Sequence, residues 1–131
     1  MQIIKKVLAV LVGLVVGSLF IGLVEKVNST MFPLPEGLDA TNMEAFKAFV
    51  AGLPDQAFIL IFIGHICGAL VGGLVAWLFV KNTIIPSMIV GSLFTVAGLF
   101  NLFTIHHPWW MWTELALYMP AAYLGTRLLK K

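Results

Sequence analysis

Apolar residues fall into four long runs along this 131-residue chain, and polar or turn-forming residues collect between them. A hydrocarbon core about 30 Å thick needs about 20 helical residues to cross it, so each run is read against that length. The first runs from Val7 to Val24, behind Lys5 and Lys6. It is longer than the roughly 7–15 apolar residues of a signal peptide, and Glu25-Lys26-Val27 is not a small-residue cleavage site. It therefore reads as a retained span over about residues 7–27. The second covers about 56–80, and only Lys81-Asn82-Thr83 separates it from the third, about 84–105, so the two are antiparallel neighbours. Pro86 falls in the first turn of the third helix, where its missing N–H costs nothing. His106-His107-Pro108 makes the next turn. Trp109, Trp110 and Trp112 then mark a membrane surface, because indoles favour the headgroup boundary. The fourth span is expected over about 109–129, kinked where Pro120 cannot donate to the carbonyl of Ala116.

Between the first two runs the pattern changes. Five of the six acidic residues lie between Glu25 and Asp55, with Pro33, Pro35 and Pro54. The first two prolines bias Phe32 and Leu34 to extended geometry. Thr41-Asn42-Met43-Glu44 fits a capping box with Thr41 as N-cap. The helix it opens, about residues 41–53, carries Met43, Phe46, Phe49, Val50 and Leu53 on one side. Too short to span, it is expected to lie on the bilayer or across the bundle mouth. The predicted fold is an all-α membrane protein: a single domain over residues 1–131, built as an antiparallel four-transmembrane-helix bundle with a short amphipathic helix in the first outer loop, about residues 28–55.

Composition agrees with a membrane class. Hydrophobic residues make up 60% of the chain and charged residues 11%, with a mean hydropathy of +1.00, against about 25% charged in soluble domains. A cytosolic enzyme is excluded by the lack of any soluble domain. The net charge of +2 is too weak and scattered for nucleic acid. Cys67 is alone, so no intrachain disulfide forms. Lys5, Lys6, Lys81, Arg127, Lys130 and Lys131 lie at one side of the four-span arrangement, against Lys26 and Lys47 at the other. By the positive-inside rule both termini are cytoplasmic, and the 28–55 loop and His106-His107 turn face outward.

Small and polar residues give the helices faces. Gly64, Gly68 and Gly72 recur every fourth position, with Gly73 beside them, a glycine-zipper pattern that lets a neighbouring backbone approach closely in lipid. Gly13 and Gly17 form a shorter version on the first span, with Ser18, Gly22 and Glu25 on an adjoining stripe. On the third span Ser87, Gly91, Thr95, Gly98 and Asn101 share a face opposite Ile89, Leu93 and Phe100. On the fourth, Glu114 and Tyr118 line up with Ala121, Ala122 and Gly125. Counted from the outer surface, Glu25 is at the rim, Glu114 and Asn101 are about 8 Å deep and His65 about 13 Å deep. Buried ionisable groups are expensive unless paired. Glu25, His65, Asn101, Glu114 and Tyr118 are therefore the candidate polar site, with His65 and Glu114 in one network and Asn101 between or beside them.

The passages Pro33-Leu34-Pro35-Glu36-Gly37-Leu38-Asp39, Gly68-Ala69-Leu70-Val71-Gly72-Gly73-Leu74-Val75-Ala76, His107-Pro108-Trp109 and Tyr118-Met119-Pro120-Ala121-Ala122-Tyr123-Leu124-Gly125 resemble a group of small, functionally uncharacterised bacterial four-span inner-membrane proteins. The resemblance covers nearly the whole chain. It implies a multi-pass protein of the bacterial inner membrane and carries no activity, cofactor or catalytic residue with it.

Two function classes follow. In the leading one the chain is a structural or accessory helix-bundle protein that self-associates or binds a membrane partner, with the polar residues tying helices together. In the other it is a minimal transporter or channel with a proton- or solute-binding site in the outer half. A water-accessible cavity reaching His65 favours the second reading, and a dry, fully bonded core the first. A metal site is the weakest reading, because no helix supplies a His-x-x-x-His or Glu-x-x-His pair and adjacent His106 and His107 diverge. No phosphate loop, catalytic triad or cofactor motif is present. The expected partners are the lipid bilayer and either a second copy or another membrane protein.

Overall fold

A computed structural model describes residues 1–130; Lys131, counted above among the inner basic residues, lies outside them. The described residues form five α-helices and no strand: α1 (Gln2–Met31), α2 (Met43–Ala51), α3 (Asp55–Phe79), α4 (Ile85–Thr104) and α5 (Glu114–Arg127), with a 3₁₀ segment, Trp109–Thr113, leading into α5. Helices α1, α3 and α4 are long and apolar enough to cross a membrane.

Three boundaries differ from expectation, each for a local reason. Helix α1 does not stop near residue 27 but continues to Met31. Ser29 and Thr30 turn their hydroxyls onto the carbonyls of Lys26 and Val27, each at 2.7 Å, so the polar residues stay helical until Phe32, which Pro33 biases away from helical geometry and which stands at φ −129° and ψ 70°. Helix α2 is capped by Asn42, not Thr41: the Asn42 side chain accepts from the Ala45 N–H at 3.3 Å. Thr41 is already engaged, donating to Asp39 Oδ1 through its hydroxyl at 2.6 Å and its N–H at 2.9 Å, which holds the Asp39 carboxyl below its ordinary pKa. Helix α5 is shorter than the 109–129 span expected, because the tryptophan-rich stretch after Pro108 winds as 3₁₀ before the α-helix begins at Glu114.

Helix α3 is central and uses two faces. Gly64, Gly68 and Gly72 face α1: a Cβ added to Gly72 would stand 2.8 Å from the Gly13 carbonyl oxygen, and one added to Gly17 would stand 2.7 Å from that of Gly68. Gly73 belongs to a different contact, against the backbone of Ala122 on α5, where Gly125 meets Leu70 and Leu74 in return. Backbones this close are held by dispersion contacts, the main attraction between helices in lipid. Helix α4 is tied to α3 by the buried Ser87, whose hydroxyl donates to the Gly73 carbonyl at 2.7 Å. It packs on α5 through Gly91 and Gly98, the latter against the Tyr118 ring. Ala69, Ala76, Val90, Phe94, Tyr118 and Ala121 form the core between them. Helix α1 is peripheral: 17% of its most apolar window is buried, against 39% for α3 and α4, and Leu11, Val15, Leu19 and Leu23 face outward.

Helix α2 packs at the end of the molecule formed by the start of α3 and the close of α4. Its Val50, flanked by Phe46, Phe49 and Leu53, packs on Phe58, Leu102 and Met111. Met43, expected on the same face, is exposed, because the first residue of the helix projects beyond the contact.

Candidate functional site

Three helices, α1, α3 and α5, bring titratable or hydroxyl side chains to one place. His65 follows Gly64 on α3 and is buried beside the close α1 contact. Glu114 opens α5 and is fully buried; the partial positive charge of a helix N-terminus favours a carboxylate there. Tyr118, one turn further along α5, is also buried, with Phe94 stacked on it at a 6.4 Å centroid separation. Glu25 projects from α1 one turn beyond Ile21, the residue that meets Gly68, and its side chain is 55% exposed.

The imidazole of His65 sits between the two carboxylates. Its Nδ1 lies 3.1 Å from Glu114 Oε2 and 3.3 Å from the Tyr118 hydroxyl, and its Nε2 lies 3.6 Å from Glu25 Oε1. These distances allow more than one proton arrangement. With a proton on Nδ1 the ring donates to Glu114, and the Tyr118 oxygen is a second acceptor. With Nδ1 bare, its single lone pair accepts from either the Tyr118 hydroxyl or a protonated Glu114, since two acceptors do not bond. On the other side, only a protonated Nε2 can attract the Glu25 carboxylate. A proton can therefore be held on imidazole or carboxyl with little rearrangement of heavy atoms. Glu114 Oε1 is buried with no hydrogen-bond partner among the described residues, a costly state for a carboxylate oxygen.

The cluster borders a cavity. A partly open space of about 280 Å³ lies between α1 and α4, with Ser18, Gly22 and Glu25 on one wall, Phe94 and Asn101 on the other, and His65 and Tyr118 behind. Helices α1 and α4 approach each other at Gly13 and Val90 and at Gly17 and Phe94, and they part toward Glu25 and Asn101. A second cavity of about 360 Å³ lies under α2, lined by Phe46, Phe58, Asn28 and His107 among others. Glu25 and Asn101 border both.

Of the sequence candidates, His65, Glu114, Tyr118 and Glu25 come together. Asn101 does not join the hydrogen-bonded network: its side chain lines the two cavities and makes no bond to His65 or Glu114 among the described residues. Its position on α4, across the gap from α1, explains this. Sequence reasoning missed two residues. Asn28 is buried with its Oδ1 unpaired among the described residues, at the wall of the second cavity; it lies three residues after Glu25, on the part of α1 that runs past the expected end of the first span near residue 27. Phe94 supplies the aromatic face against Tyr118 and had read as one apolar residue among many.

Glu25 and Glu114 meet opposite nitrogens of the ring, so the three groups do not converge as ligands on one metal ion. No group of three or more His, Cys, Asp or Glu side chains is arranged to hold a metal among the described residues. His107 lies apart from the cluster, its Nδ1–H donating to the Ile105 carbonyl at 2.7 Å and its ring edge-on to Phe58. Burial, outweighing that hydrogen bond, holds its pKa below the ordinary imidazole value. No family model, curated protein or solved structure matches this chain.

Proposed function

We propose that this chain is a multi-pass protein of the bacterial inner membrane, with four antiparallel spans and both termini in the cytoplasm, that binds protons or a small cationic solute at His65, Glu114, Glu25 and Tyr118. The observation that carries this reading is the cavity bordered by His65, Glu25 and Tyr118. A purely structural tie has no need of open space beside it, and this cluster borders one. Two carboxylates against one imidazole give the site an excess of negative charge whenever the ring is neutral, which favours a proton or a small cation. Either occupant answers the same carboxylates, so the two compete, and such competition is the elementary requirement of proton-coupled exchange.

The fourth span rests on length. Five 3₁₀ residues and fourteen α-helical ones reach about 31 Å at roughly 2.0 and 1.5 Å per residue, close to the hydrocarbon thickness. With cysteines placed at Lys5 and Lys130, an impermeant thiol reagent added to intact cells should label neither; labelling of one alone would remove the fourth span.

A structural or accessory role is supported by the outward apolar face of α1, against which a second copy or a membrane partner could pack and close the cleft. Proteoliposomes separate the readings. Glu114→Gln keeps the shape and removes the titratable group, so it should keep the fold and abolish a pH-gradient-driven flux of protons or a small organic cation. Absence of flux in the parent protein would leave the structural role.

A further inference from the structure

At the opposite end of the bundle a third cavity, of about 330 Å³, is formed by Trp77, Lys81, Asn82, Thr83, Ile84 and Lys130. We propose that it binds a phosphate-bearing anion at the membrane surface. This does not depend on the outer polar site, from which it shares no residue.

Several features converge. Its walls are mainly polar, unlike those of a gap between lipid-facing helices. Two lysines border it from different parts of the chain, Lys81 in the α3–α4 turn and Lys130 after α5. Neither has a carboxylate within ion-pair distance among the described residues. Lys130 Nζ lies 5.9 Å from the Trp77 ring centroid, a cation–π contact that holds the ammonium beside the cavity. Trp77 itself is 7% exposed, and its indole N–H is buried with no acceptor among the described residues. An indole nitrogen is a donor only, so an oxygen-rich anion in the cavity would satisfy it once a turn of the Trp77 ring brought the N–H to the cavity wall. The Thr83 Oγ accepts from the Ile85 N–H at 3.2 Å, which leaves its own proton free to donate. Every side-chain polar group of the pocket is thus a donor or can act as one, with Asn82 contributing an amide. Phosphate, with several acceptor oxygens and negative charge, matches that set, and lysine is suited to it as a point charge.

Two sources present this chemistry, the headgroup of an anionic phospholipid and free phosphate, and the basic residues at this end suit the first. The test uses the full chain in phosphatidylcholine nanodiscs and follows melting temperature during two titrations, one increasing the phosphatidylglycerol fraction and one adding inorganic phosphate. A saturable rise is expected. In K81Q/K130Q the midpoint should weaken about 100-fold, since each charge-assisted contact to the bound phosphate group contributes about tenfold. Trp77→Phe, which deletes the N–H and keeps an aromatic ring, should also weaken it. K5Q/K6Q removes the same charge from the same end and should leave the midpoint unchanged. A response to phosphatidylglycerol alone assigns the site to lipid, and a lysine-dependent response to inorganic phosphate assigns it to a soluble anion. The proposal is overturned if neither anion gives a saturable response, if K81Q/K130Q responds like the parent, or if K5Q/K6Q weakens the midpoint equally.

Discussion

Removing His65 should cost more stability than removing Glu114, and removing both should cost less than removing His65 alone. The order follows from what each deletion strands. Glu114 is fully buried, its Oε1 has no partner, and its Oε2 relies on His65 Nδ1 at 3.1 Å. His65→Ala therefore leaves a buried carboxyl deprived of its imidazole. Breaking a buried pair in this way costs about 3–5 kcal/mol in soluble proteins, whereas interhelical polar contacts in membrane proteins average about 0.6 kcal/mol and reach about 1.7. With one carboxylate oxygen already unsatisfied, a cost of about 3 kcal/mol is expected, within the lower part of the first range. Glu114→Ala is milder, about 1.5 kcal/mol, because His65 keeps Tyr118 at 3.3 Å and Glu25 at 3.6 Å. In the double variant no charge is stranded, and the remaining loss is packing, about 2 kcal/mol. Set against a sum of about 4.5 kcal/mol, this gives a coupling near 2.5 kcal/mol, inside the usual range for residues in contact. Reversible denaturation in mixed micelles measures all three. Additivity within about 0.5 kcal/mol, or Glu114→Ala costing more than His65→Ala, would refute the reasoning.

Gly68→Leu should force α1 from α3 and lower stability by about 2 kcal/mol or more, since even a Cβ there would lie 3.0 Å from the Gly17 carbonyl oxygen and closer still to Ile21. Gly22→Leu, where an added Cβ meets nothing within 4 Å, should leave the melting temperature unchanged while filling the cavity it lines; an equal loss in both would mean that bulk on any α1–α3 glycine, not the close approach, is the cause. His107 gives a pH dependence. Because burial lowers its folded pKa, the unfolded chain binds the proton first as pH falls below about 6.5, so this contribution is intact above that value and is lost on acidification. The drop in melting temperature between about pH 7.5 and about pH 5.5 should be smaller in His107→Gln than in the parent, and an identical drop would count against a buried neutral imidazole.

How far the sequence could be read depended on the length over which a signal was averaged. Runs of twenty apolar residues place α1, α3 and α4 because every residue in the window reports the same solvent. The opening of α5 was not legible, because Trp109-Trp110-Met111-Trp112 is as apolar as a helix should be, and hydropathy does not distinguish a 3₁₀ turn from an α turn. The α2 cap was misread by one residue because two side chains compete locally: Asp39 takes Thr41, and Asn42 is left to cap. Helical phase did place His65 and Glu114 on inward faces. It could not place Asn101, since phase fixes which way a residue points on its own helix and says nothing of how far the neighbouring helix has moved away. Gly73 was grouped with Gly64, Gly68 and Gly72 by proximity in sequence. One residue on a helix is a rotation of about 100°, enough to give it to α5.

Packing and the candidate site are consequences of one another. The glycines of α1 and α3 draw those helices together, and α1 approaches Val90 and Phe94 of α4 at Gly13 and Gly17. Toward Glu25 and Asn101 the two helices part, which makes the cavity and leaves those residues on its walls. Had polar residues been placed there only to fix helix geometry, mutual satisfaction would be the stable arrangement, since an incomplete buried network is worse than none. Instead Glu114 Oε1 and Asn28 Oδ1 are buried without partners, and Asn101 faces space. Departures from local rules of this kind collect where a protein must do something besides fold. Hydrophobic replacement, as in the His65 and Glu114 double variant, removes the two buried titratable groups and the stranded Glu114 oxygen together. A bundle that keeps its fold after that change and loses its response to pH would locate the cost of this cluster in function, not in architecture.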